Sequence, residues 1–430
     1  MKNKGFTLVE LLAVIVVLSI IALIGYSTVG NIISSTQDNS NKVTMKNYAK
    51  AVDQAVFLYE MNNDDSNLSE LNANWLKENV KFEKATVECE YATYDKTSSL
   101  YGCKVNNSDK TYCYTSDTAV ECNKDKLSKI YGESIQNGIP TPTSPIEIES
   151  VGEKTKNLLS STTYGEYNPI NLYAGTFFFS VDANTDRQLH LFLYDENKVR
   201  LGDTTNAQQL QSNGRYGYEI TISSKAKYYM YAWSGSTNEP IKPMLEEGST
   251  ATSYEPYGYK IPITVSNGTD TKTTNIYLKE PLRKIREYAD YLDLTNKKVV
   301  RYVKEDVFTG TETINLNGNN RFQYRFEKTS GDGLCNYYKN TNDKSNGSVY
   351  LIYTYAAYFS DTRYNTVEEF KNMLATQYNL GNPVKIVWRR HDKQIFSEES
   401  IDVPELPTLT GNVTYSIGTS TQPSKIEYEY

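Results

Sequence analysis

The stretch MKNKGFTLVELLAVIVVLSIIALI, residues 1–24, decides the fold, because it joins a short basic leader directly to a long apolar run. Within residues 6–24 the only polar side chains are Thr7, Glu10 and Ser19. A helix over this run is about 28 Å long, close to the hydrocarbon thickness of a bilayer. We therefore predict a single membrane-crossing helix at the start of the chain.

The leader carries Lys2 and Lys4, whose positive charge predicts a cytoplasmic N-terminus. A secretory signal peptide would have a shorter apolar run and a small-residue cleavage site after it. A plain anchor or a buried core helix explains neither the basic leader nor Glu10, since a carboxylate inside a membrane is costly and usually functional. Leader, apolar run and acid together favour a dedicated export and assembly signal.

This pattern resembles the signal of type IV prepilins and pseudopilins, in which a leader, a glycine, an aromatic residue and an acid stand at fixed spacing. The resemblance implies that a prepilin peptidase cleaves between Gly5 and Phe6, with methylation of the new amino group. It also implies that Glu10 neutralises the Phe6 amine of a neighbouring subunit during filament assembly. Many such proteins carry a proline near the end of the run, where this chain has Gly25 and Gly30.

Apolar residues at three- and four-residue steps extend the predicted helix from Phe6 to Met61, ahead of a run of turn residues. Val29, Ile32, Ile33, Val43, Tyr48, Val52, Ala55, Val56 and Tyr59 form its predicted apolar face. A small head with a helix over Leu71–Lys77 is expected to follow, up to about residue 133. Residues 6–133 are therefore predicted to form one pilin-like domain.

Four of the five cysteines lie close together in this head, which predicts two disulfides in an exported protein. Three pairings are possible. The favoured one joins neighbours, Cys89 to Cys103 and Cys113 to Cys122, because it closes hairpin-sized loops. Cys335 is expected to be buried and unpaired.

The composition bounds the function. A net charge of −7 argues against a nucleic-acid-binding face, which needs concentrated basic residues. Only two histidines, His190 and His391, are present, which leaves little for a catalytic triad or a zinc site. We predict that the chain is not an enzyme and needs no cofactor. The 37 tyrosines instead suit exposed β-surfaces and binding faces.

A proline-rich stretch within residues 134–154 predicts a linker. Regular alternation over residues 155–257 then predicts a β-sandwich or jelly roll. Residues 258–430 are expected to form a β-rich domain, with one helix capped by Thr366 and Glu369. The predicted fold class is α+β, with a long pilin-like helix and disulfide-bonded β head followed by these two β domains.

Residues 135–430 resemble tail and baseplate-associated proteins of phages from Gram-positive bacteria. The resemblance rests on the segments NGIPTPTSPIEIESVGEKTKNLL, IKPMLEEGSTATSYEPYG, EPLRKIREYADYLDL and VPELPTLTGNVTYSIGTSTQPSKIEYEY. It implies a carbohydrate-binding jelly roll and a cell-surface glycan or protein receptor as partner.

A glycan site needs aromatic rings beside polar groups. The candidates are Tyr164, Tyr167, Tyr216, Tyr228 and Trp233, and the tyrosines expected in loops, Tyr164, Tyr167 and Tyr216, are favoured. Tyr229, Tyr231 and Trp233 share one strand face, whose orientation the sequence leaves open.

Other polar residues have plainer interpretations. Asp182, Asp186 and Asp195 are the residues that would hold a structural calcium, although their spacing gives no support for one. His190 is expected to be an exposed strand residue. Arg389, Arg390, His391 and Asp392 are expected to form a solvated turn.

The resulting hypothesis is a minor or tip subunit of a type IV pilus that presents an adhesin module. Its partners would be other pilin subunits and the prepilin peptidase. It would reside in the cell membrane before assembly and in the extracellular pilus afterwards. The alternative is a pseudopilin of a type II secretion or DNA-uptake system.

Overall fold

The computed structural model describes residues 8–62, 70–108, 110–122, 126–161, 163, 165–182, 189–202, 210–233, 242–326, 329–341, 343–352, 356–390, 394–409 and 413–429. The chain divides into two compact units. The first comprises residues 1–126 together with 428–430, and the second comprises residues 127–427.

A 55-residue helix, α1 (Leu8–Asn62), dominates the first unit. Its buried positions recur at three- and four-residue steps and form one face: Met45, Tyr48, Ala49, Val52 and Val56. This agrees with the predicted amphipathic stretch, except that Ile33 and Val43 are exposed. They lie away from the head core, so that they leave an apolar surface on the helix.

The head of the first unit is a sheet that covers the buried face of α1. Its elements are β1 (Glu70–Asn72), α2 (Ala73–Asn79), β2 (Val87–Glu88), β3 (Tyr91–Asp95), β4 (Thr97–Val105), β5 (Thr111–Thr115) and β6 (Thr118–Glu121). Five strands pair in the order β1-β3-β4-β5-β6, and β2 pairs with β4. Leu100, Val105 and Tyr112 pack with Val52 in one core.

The helix expected at Leu71–Lys77 begins two residues later. Asn72 ends β1, and its side-chain oxygen accepts a hydrogen bond from the Trp75 backbone N–H at 2.9 Å. This cap satisfies a backbone donor at the first turn of α2 and fixes the start of the helix.

Both disulfides of the favoured pairing are present in the head, Cys89–Cys103 and Cys113–Cys122. The first joins the end of β2 to β4, and the second joins β5 to the residue after β6. Cys335, in the second unit, is buried with a free thiol.

The second unit opens with short strands: β7 (Lys126–Tyr131), β8 (Ser134–Gln136), β9 (Ile148–Ser150) and β10 (Glu153–Lys154). β8 and β9 pair antiparallel, so most of the stretch predicted as a linker forms a hairpin. The proline-rich segment between them turns at Thr141 and Ser144, whose backbones exchange two hydrogen bonds. The Ile146 N–H then donates to the Asn336 carbonyl at 2.8 Å, which ties the segment to this unit.

A β-sandwich follows, built from eight strands: β11 (Asn168–Leu172), β12 (Gly175–Val181), β13 (Leu189–Tyr194), β14 (Arg200–Leu201), β15 (Leu210–Ser212), β16 (Arg215–Ile222), β17 (Ala226–Trp233) and β18 (Met244–Glu247). They form two four-stranded sheets, β11-β17-β13-β14 and β15-β16-β12-β18, in which neighbouring strands run antiparallel. Phe179 of one sheet and Tyr231 of the other pack edge to face in a shared core. The jelly-roll topology itself stays a prediction.

The remaining strands are β19 (Tyr259–Ser266), β20 (Thr271–Leu278), β21 (Lys284–Ile285), β22 (Tyr288–Ala289), β23 (Tyr291–Asp293), β24 (Lys298–Arg301), β25 (Val303–Val307), β26 (Ile314–Leu316), β27 (Arg321–Arg325), β28 (Thr329–Cys335), β29 (Lys339–Asn340), β30 (Ser348–Ile352), β31 (Ala356–Ser360), β32 (Lys385–Arg390), β33 (Ser397–Ser400), β34 (Thr414–Ile417) and β35 (Ile426–Glu429). One helix, α3 (Val367–Asn379), lies among them. Thr366 and Glu369 form the predicted capping box at its start.

An aromatic core holds this last part together. α3 packs Phe370 face to face on Phe322 of β27, with ring centroids 4.2 Å apart. Trp388 of β32 is buried in the same cluster. Two sheets contribute to it, β26-β27-β31-β30-β29 and β25-β32-β28. The β-rich, α+β character expected of this region is therefore present.

Candidate functional site

The structure places the predicted ligand aromatics in different surroundings. Tyr164 lies outside the described residues, and Trp233 ends β17 with its side chain outside them. Tyr216, expected in a loop, is a half-buried strand residue opposite Val181, and it packs against the sandwich core. The loop prediction for Tyr216 was wrong because β16 begins at Arg215, directly after a two-residue turn.

Tyr167 is the candidate that remains of the three tyrosines expected in loops, and it lies in a cluster. Its side chain is 41% exposed, just before β11. Its ring centroid lies 4.9 Å from that of Tyr194 and 6.3 Å from that of Tyr228, both in edge-to-face arrangements. Tyr194 and Tyr228 stand directly opposite each other on β13 and β17. Tyr167, Tyr194 and Tyr228 are called the tyrosine cluster below.

A lysine covers the tyrosine cluster. Lys198 Nζ lies 4.7 Å from the ring centroid of Tyr167 and 5.9 Å from that of Tyr228. The turn between β13 and β14 positions this lysine. Asp195 Oδ1 accepts the backbone N–H groups of Asn197 and Val199, at 2.9 and 2.7 Å. Lys198 itself has a φ of 60°, in the left-handed region.

The aromatic surface continues along β13. The guanidinium of Arg200 lies 4.1 Å from the ring centroid of Phe192. The His190 ring stacks on Phe192, with ring centroids 5.5 Å apart. His190, expected to be exposed, is half-buried because of this stacking. Burial and the Arg200 charge lower the pKa of His190. Burial, and secondarily Tyr167, raises the pKa of Tyr194, so its hydroxyl stays protonated at neutral pH.

The carboxylates considered for calcium have other partners. Asp182 pairs with Arg215 and Lys242, and Asp195 accepts the backbone donors of its own turn. Asp186 lies outside the described residues. Among the side chains that the structure describes, no group of three potential ligands is close enough to hold a metal ion.

The basic run after residue 388 is a strand end and not a solvated turn. Arg389 and Arg390 belong to β32, and His391 and Asp392 lie outside the described residues. Arg389 is buried, and its Nη2 lies 3.0 Å from Asp332 Oδ2. The prediction for the two arginines was wrong because their strand continues to Arg390.

At the start of the chain, Glu10 lies within α1, but its side chain is outside the described part of the chain. Gly5 and Phe6 lie wholly outside the described residues. The described side chains of Val14, Ile15 and Val16 are exposed. Of the helices that the structure describes, none has both the length and the apolar character for a membrane crossing.

Comparison with known proteins bears on this N-terminal end. Residues 1–26 match the family described as "Prokaryotic N-terminal methylation motif". The chain carries a type IV pilin-like prepilin signal. The signal covers the predicted leader, cleavage site and Glu10, and it supports a type IV pilin-like or pseudopilin precursor. It implies processing by a prepilin peptidase and assembly with other pilin subunits.

Beyond the prepilin signal the comparisons give no relative. No curated protein and no solved structure matches the chain. The likeness of residues 135–430 to phage tail proteins, and their carbohydrate-binding character, therefore stay predictions.

Sequence reasoning missed Tyr194, Lys198 and Arg200. The signal was available in β13, which reads LHLFLY. Alternation assigns the leucines to the core, but the other face then carries Phe192 and Tyr194 instead of the polar residues typical of a solvated face. Aromatic residues on the outer face of a strand whose other face is aliphatic core indicate a surface with a second role.

Proposed function

We propose that this chain is a minor subunit of a type IV-like filament that presents its second unit as a surface-binding module. The observation that carries the proposal is the continuity between signal and head. The prepilin signal runs directly into α1, and the last part of this same helix is packed into the disulfide-bonded head. One helix thus connects the segment that is exported and assembled to a folded extracellular domain.

The exposed side of α1 supports assembly with other helices. Val14, Ile15, Val16, Ile33 and Val43 leave large apolar side chains in contact with solvent in the single chain. The consecutive residues Val14, Ile15 and Val16 form an exposed apolar patch of the kind that marks an interaction site. Packing against the corresponding helices of neighbouring subunits buries it. Within that packing, Glu10 has the Phe6 amine of a neighbour as its counter-ion, which offsets the cost of burying the carboxylate.

Size favours a minor subunit. The second unit, residues 127–427, is larger than the first. A filament in which every step carried such an appendage would have to accommodate it at each helical repeat. A rare or terminal subunit meets no such restriction, and a large module there is free to reach a surface.

The role that we propose is not catalytic. A cavity of about 720 Å³ in the second unit is lined by two carboxylates, Glu133 and Asp332. Glu133 pairs with Lys284 at 3.2 Å, and Asp332 pairs with Arg286 at 2.6 Å. Both carboxylates are thus held in ion pairs, and neither is left as a free acid or base for glycan hydrolysis. Release of label from peptidoglycan by the purified protein would contradict this part of the proposal.

The test is the location of the chain in cells. Sheared surface filaments are blotted and labelled with immunogold, using an antibody against residues 140–430. We expect sparse label on filaments and Phe6 at the N-terminus of the mature chain. Label confined to the membrane would instead indicate a pseudopilin or a simple anchor, and filaments built mainly of this chain would exclude a minor subunit.

A matched pair of variants separates assembly from folding. Glu10→Gln should still be processed but should reduce incorporation into filaments, because the neutral amide cannot balance the amine of a neighbour. Glu60→Gln makes the same chemical change at an exposed position of the same helix and should leave incorporation unchanged. Equal incorporation of both variants would contradict the role proposed for Glu10.

A further inference from the structure

We propose that the tyrosine cluster, together with Lys198 and Arg200, binds an acidic polysaccharide. The inference rests on the proposed function, since a displayed module needs a ligand, and it specifies the chemical class of that ligand. The site lies on the outer face of the sandwich sheet β11-β17-β13-β14, within the second unit.

The first step is the unusual character of this face. Leu191 and Leu193 of β13 are buried in the sandwich core, as are Tyr229 and Tyr231 of β17. The alternate residues on the two strands face the other way. They pair across the strands, Phe192 with Met230 and Tyr194 with Tyr228. An antiparallel sheet with one solvated face usually carries polar residues there. Here the outer face is apolar and aromatic and is only half-buried.

The second step is the fit to a sugar. A pyranose ring presents an apolar C–H face and a rim of hydroxyl groups. The rings of Tyr167, Tyr194 and Tyr228 offer apolar surface, and each carries a hydroxyl that can donate to or accept from a sugar. The exposed carboxylates of Glu166 and Glu196 lie beside this surface in the sequence and can accept hydrogen bonds from sugar hydroxyls.

The third step is charge. Lys198 and Arg200 each place a cation over an aromatic ring of this face. Among the described residues, no carboxylate lies within ion-pair distance of Lys198 Nζ, although the chain as a whole is acidic. A cation held over aromatic rings and directed to solvent is suited to a carboxylate or sulfate group on a bound polymer. Glu166, Glu196, Lys198 and Arg200 are all exposed, so salt screens the repulsion and the attraction alike, and the salt dependence of binding measures their sum.

The fourth step is preorganisation. The hydrogen bonds from Asn197 and Val199 to Asp195 close the turn that carries Lys198. The Asp195 N–H also donates to the Val199 carbonyl at 2.9 Å. The backbone at Lys198 is therefore already fixed when a ligand arrives, which reduces the entropic cost of binding.

Single-stranded nucleic acid is the other polymer that aromatic rings and cations can bind. Successive bases stack on rings that present their faces in series. The Tyr167 ring is tilted by 65° to Tyr194 and by 85° to Tyr228, so the three rings cannot form such a series. Mutually tilted rings instead form a cradle for a single sugar, and the structure favours a glycan over a strand of bases.

The test compares an acidic polysaccharide with its neutral ester, a second acidic polysaccharide and a single-stranded nucleic acid. The full-length protein in detergent micelles is titrated with polygalacturonate, with fully methyl-esterified polygalacturonate, with heparin and with oligo(dT). We expect binding to polygalacturonate that weakens with salt, and affinity at least tenfold lower for the neutral ester. Equal binding of ester and acid, tighter binding of oligo(dT), or no binding of polygalacturonate and of heparin would each overturn the proposal.

Variants locate the site. Lys198→Gln and Tyr167→Ala should each weaken binding of polygalacturonate by about tenfold, as expected for the loss of about 1.4 kcal/mol. The controls are Lys272→Gln, at an exposed strand lysine, and Tyr257→Ala, at a tyrosine that is 47% exposed. Circular dichroism verifies folding. Because Lys198 is exposed, its variant tests the site even if Tyr167→Ala perturbs the sandwich.

Unchanged affinity in both site variants would overturn the assignment. This outcome is independent of the proposed function. Filaments that contain the chain but bind no acidic polymer contradict the ligand alone, and a chain that binds the polymer but never enters filaments contradicts the filament role alone.

Discussion

The buried carboxylate of Asp361 receives two hydrogen bonds from the guanidinium of Arg363, at 2.9 Å from Nε and 2.7 Å from Nη2. The hydroxyl of Tyr338 donates a third at 2.9 Å. Burial opposes ionisation of Asp361, but these donors outweigh it and lower its pKa. The ionised carboxylate therefore fastens the end of β31 to the core of the last sheet.

The lowered pKa of Asp361 predicts a dependence of stability on pH. Its contribution is fully present above the unfolded-state pKa of about 3.9 and is lost as the pH falls through the lower folded-state value. Asp361→Asn should reduce the free energy of unfolding at pH 7 by about 1.5 kcal/mol, because an amide makes weaker hydrogen bonds with Arg363.

Urea unfolding of the full-length chain at pH 7, 5, 4 and 3 measures this effect. The difference between the native chain and Asp361→Asn should begin to shrink below about pH 4, where the carboxyl of the unfolded chain takes up a proton that the native carboxyl, with its lower pKa, does not. Asp270→Asn, at an exposed turn, is the control and should cost little at any pH. A difference that stayed constant down to pH 3 would mean that the ionised form of Asp361 is not what stabilises the fold.

The disulfides of the head predict a second result. Replacing either pair by serines, Cys89 with Cys103 or Cys113 with Cys122, should destabilise the head by about 2–4 kcal/mol. The sequence separations are 14 and 9 residues, so the chain-entropy account expects the first loss to be larger, by a few tenths of a kcal/mol.

Hydrogen–deuterium exchange of the backbone amides of β4 and β5 reports on the head alone and should show the loss of protection. Thiol labelling of the denatured chain checks that both bonds are present. One thiol, that of Cys335, should react before reduction, and all five should react afterwards. Three reactive thiols before reduction would mean that one of the two bonds is absent.

The close approach of two strands predicts a third result. Gly217 of β16 lies so near β12 that an added Cβ would come 1.9 Å from the Phe179 carbonyl oxygen. Gly217→Ala should therefore destabilise the sandwich by about 1–3 kcal/mol or more, as overpacked sites do. Gly175→Ala, on the partner strand, meets its nearest neighbour at 3.7 Å and is the matched control.

Two measurements report the difference: thermal unfolding of both glycine variants, and hydrogen–deuterium exchange of the backbone amides of β12 and β16. Gly217→Ala should lose protection in both strands, whereas Gly175→Ala should resemble the native chain. If the two variants behave alike, the strands separate enough to accept a methyl group, and the tight packing assigned to Gly217 is wrong.

Local signals in the sequence were sufficient for the elements that depend on local chemistry. The capping box of Thr366 and Glu369 and the apolar face through Tyr48, Val52 and Val56 need only neighbours along the helix. Tyr216 and Arg389 were misassigned because their burial depends on where a strand begins or ends.

The tyrosine cluster could not be predicted from the sequence, for a different reason. It joins Tyr167, Tyr194 and Tyr228, which are separated along the chain and meet only through the pairing of β13 with β17 and the course of the loop before β11. The register of that pairing is a tertiary property. Tyr194 was nevertheless visible as an aromatic residue on the outer face of β13.

The helix cap at α3 predicts the last result. The Thr366 hydroxyl accepts the Glu369 backbone N–H at 3.2 Å, and the Glu369 carboxylate accepts the backbone N–H of Thr366 at 3.2 Å. Thr366→Ala should cost about 1 kcal/mol, because a donor in the first turn loses its partner. Thr376→Ala is the control, since that hydroxyl only donates to a carbonyl within the helix at 2.7 Å. Urea unfolding of the second unit measures both, and a loss in Thr376→Ala as large as in Thr366→Ala would show that the cap does not set the stability of α3.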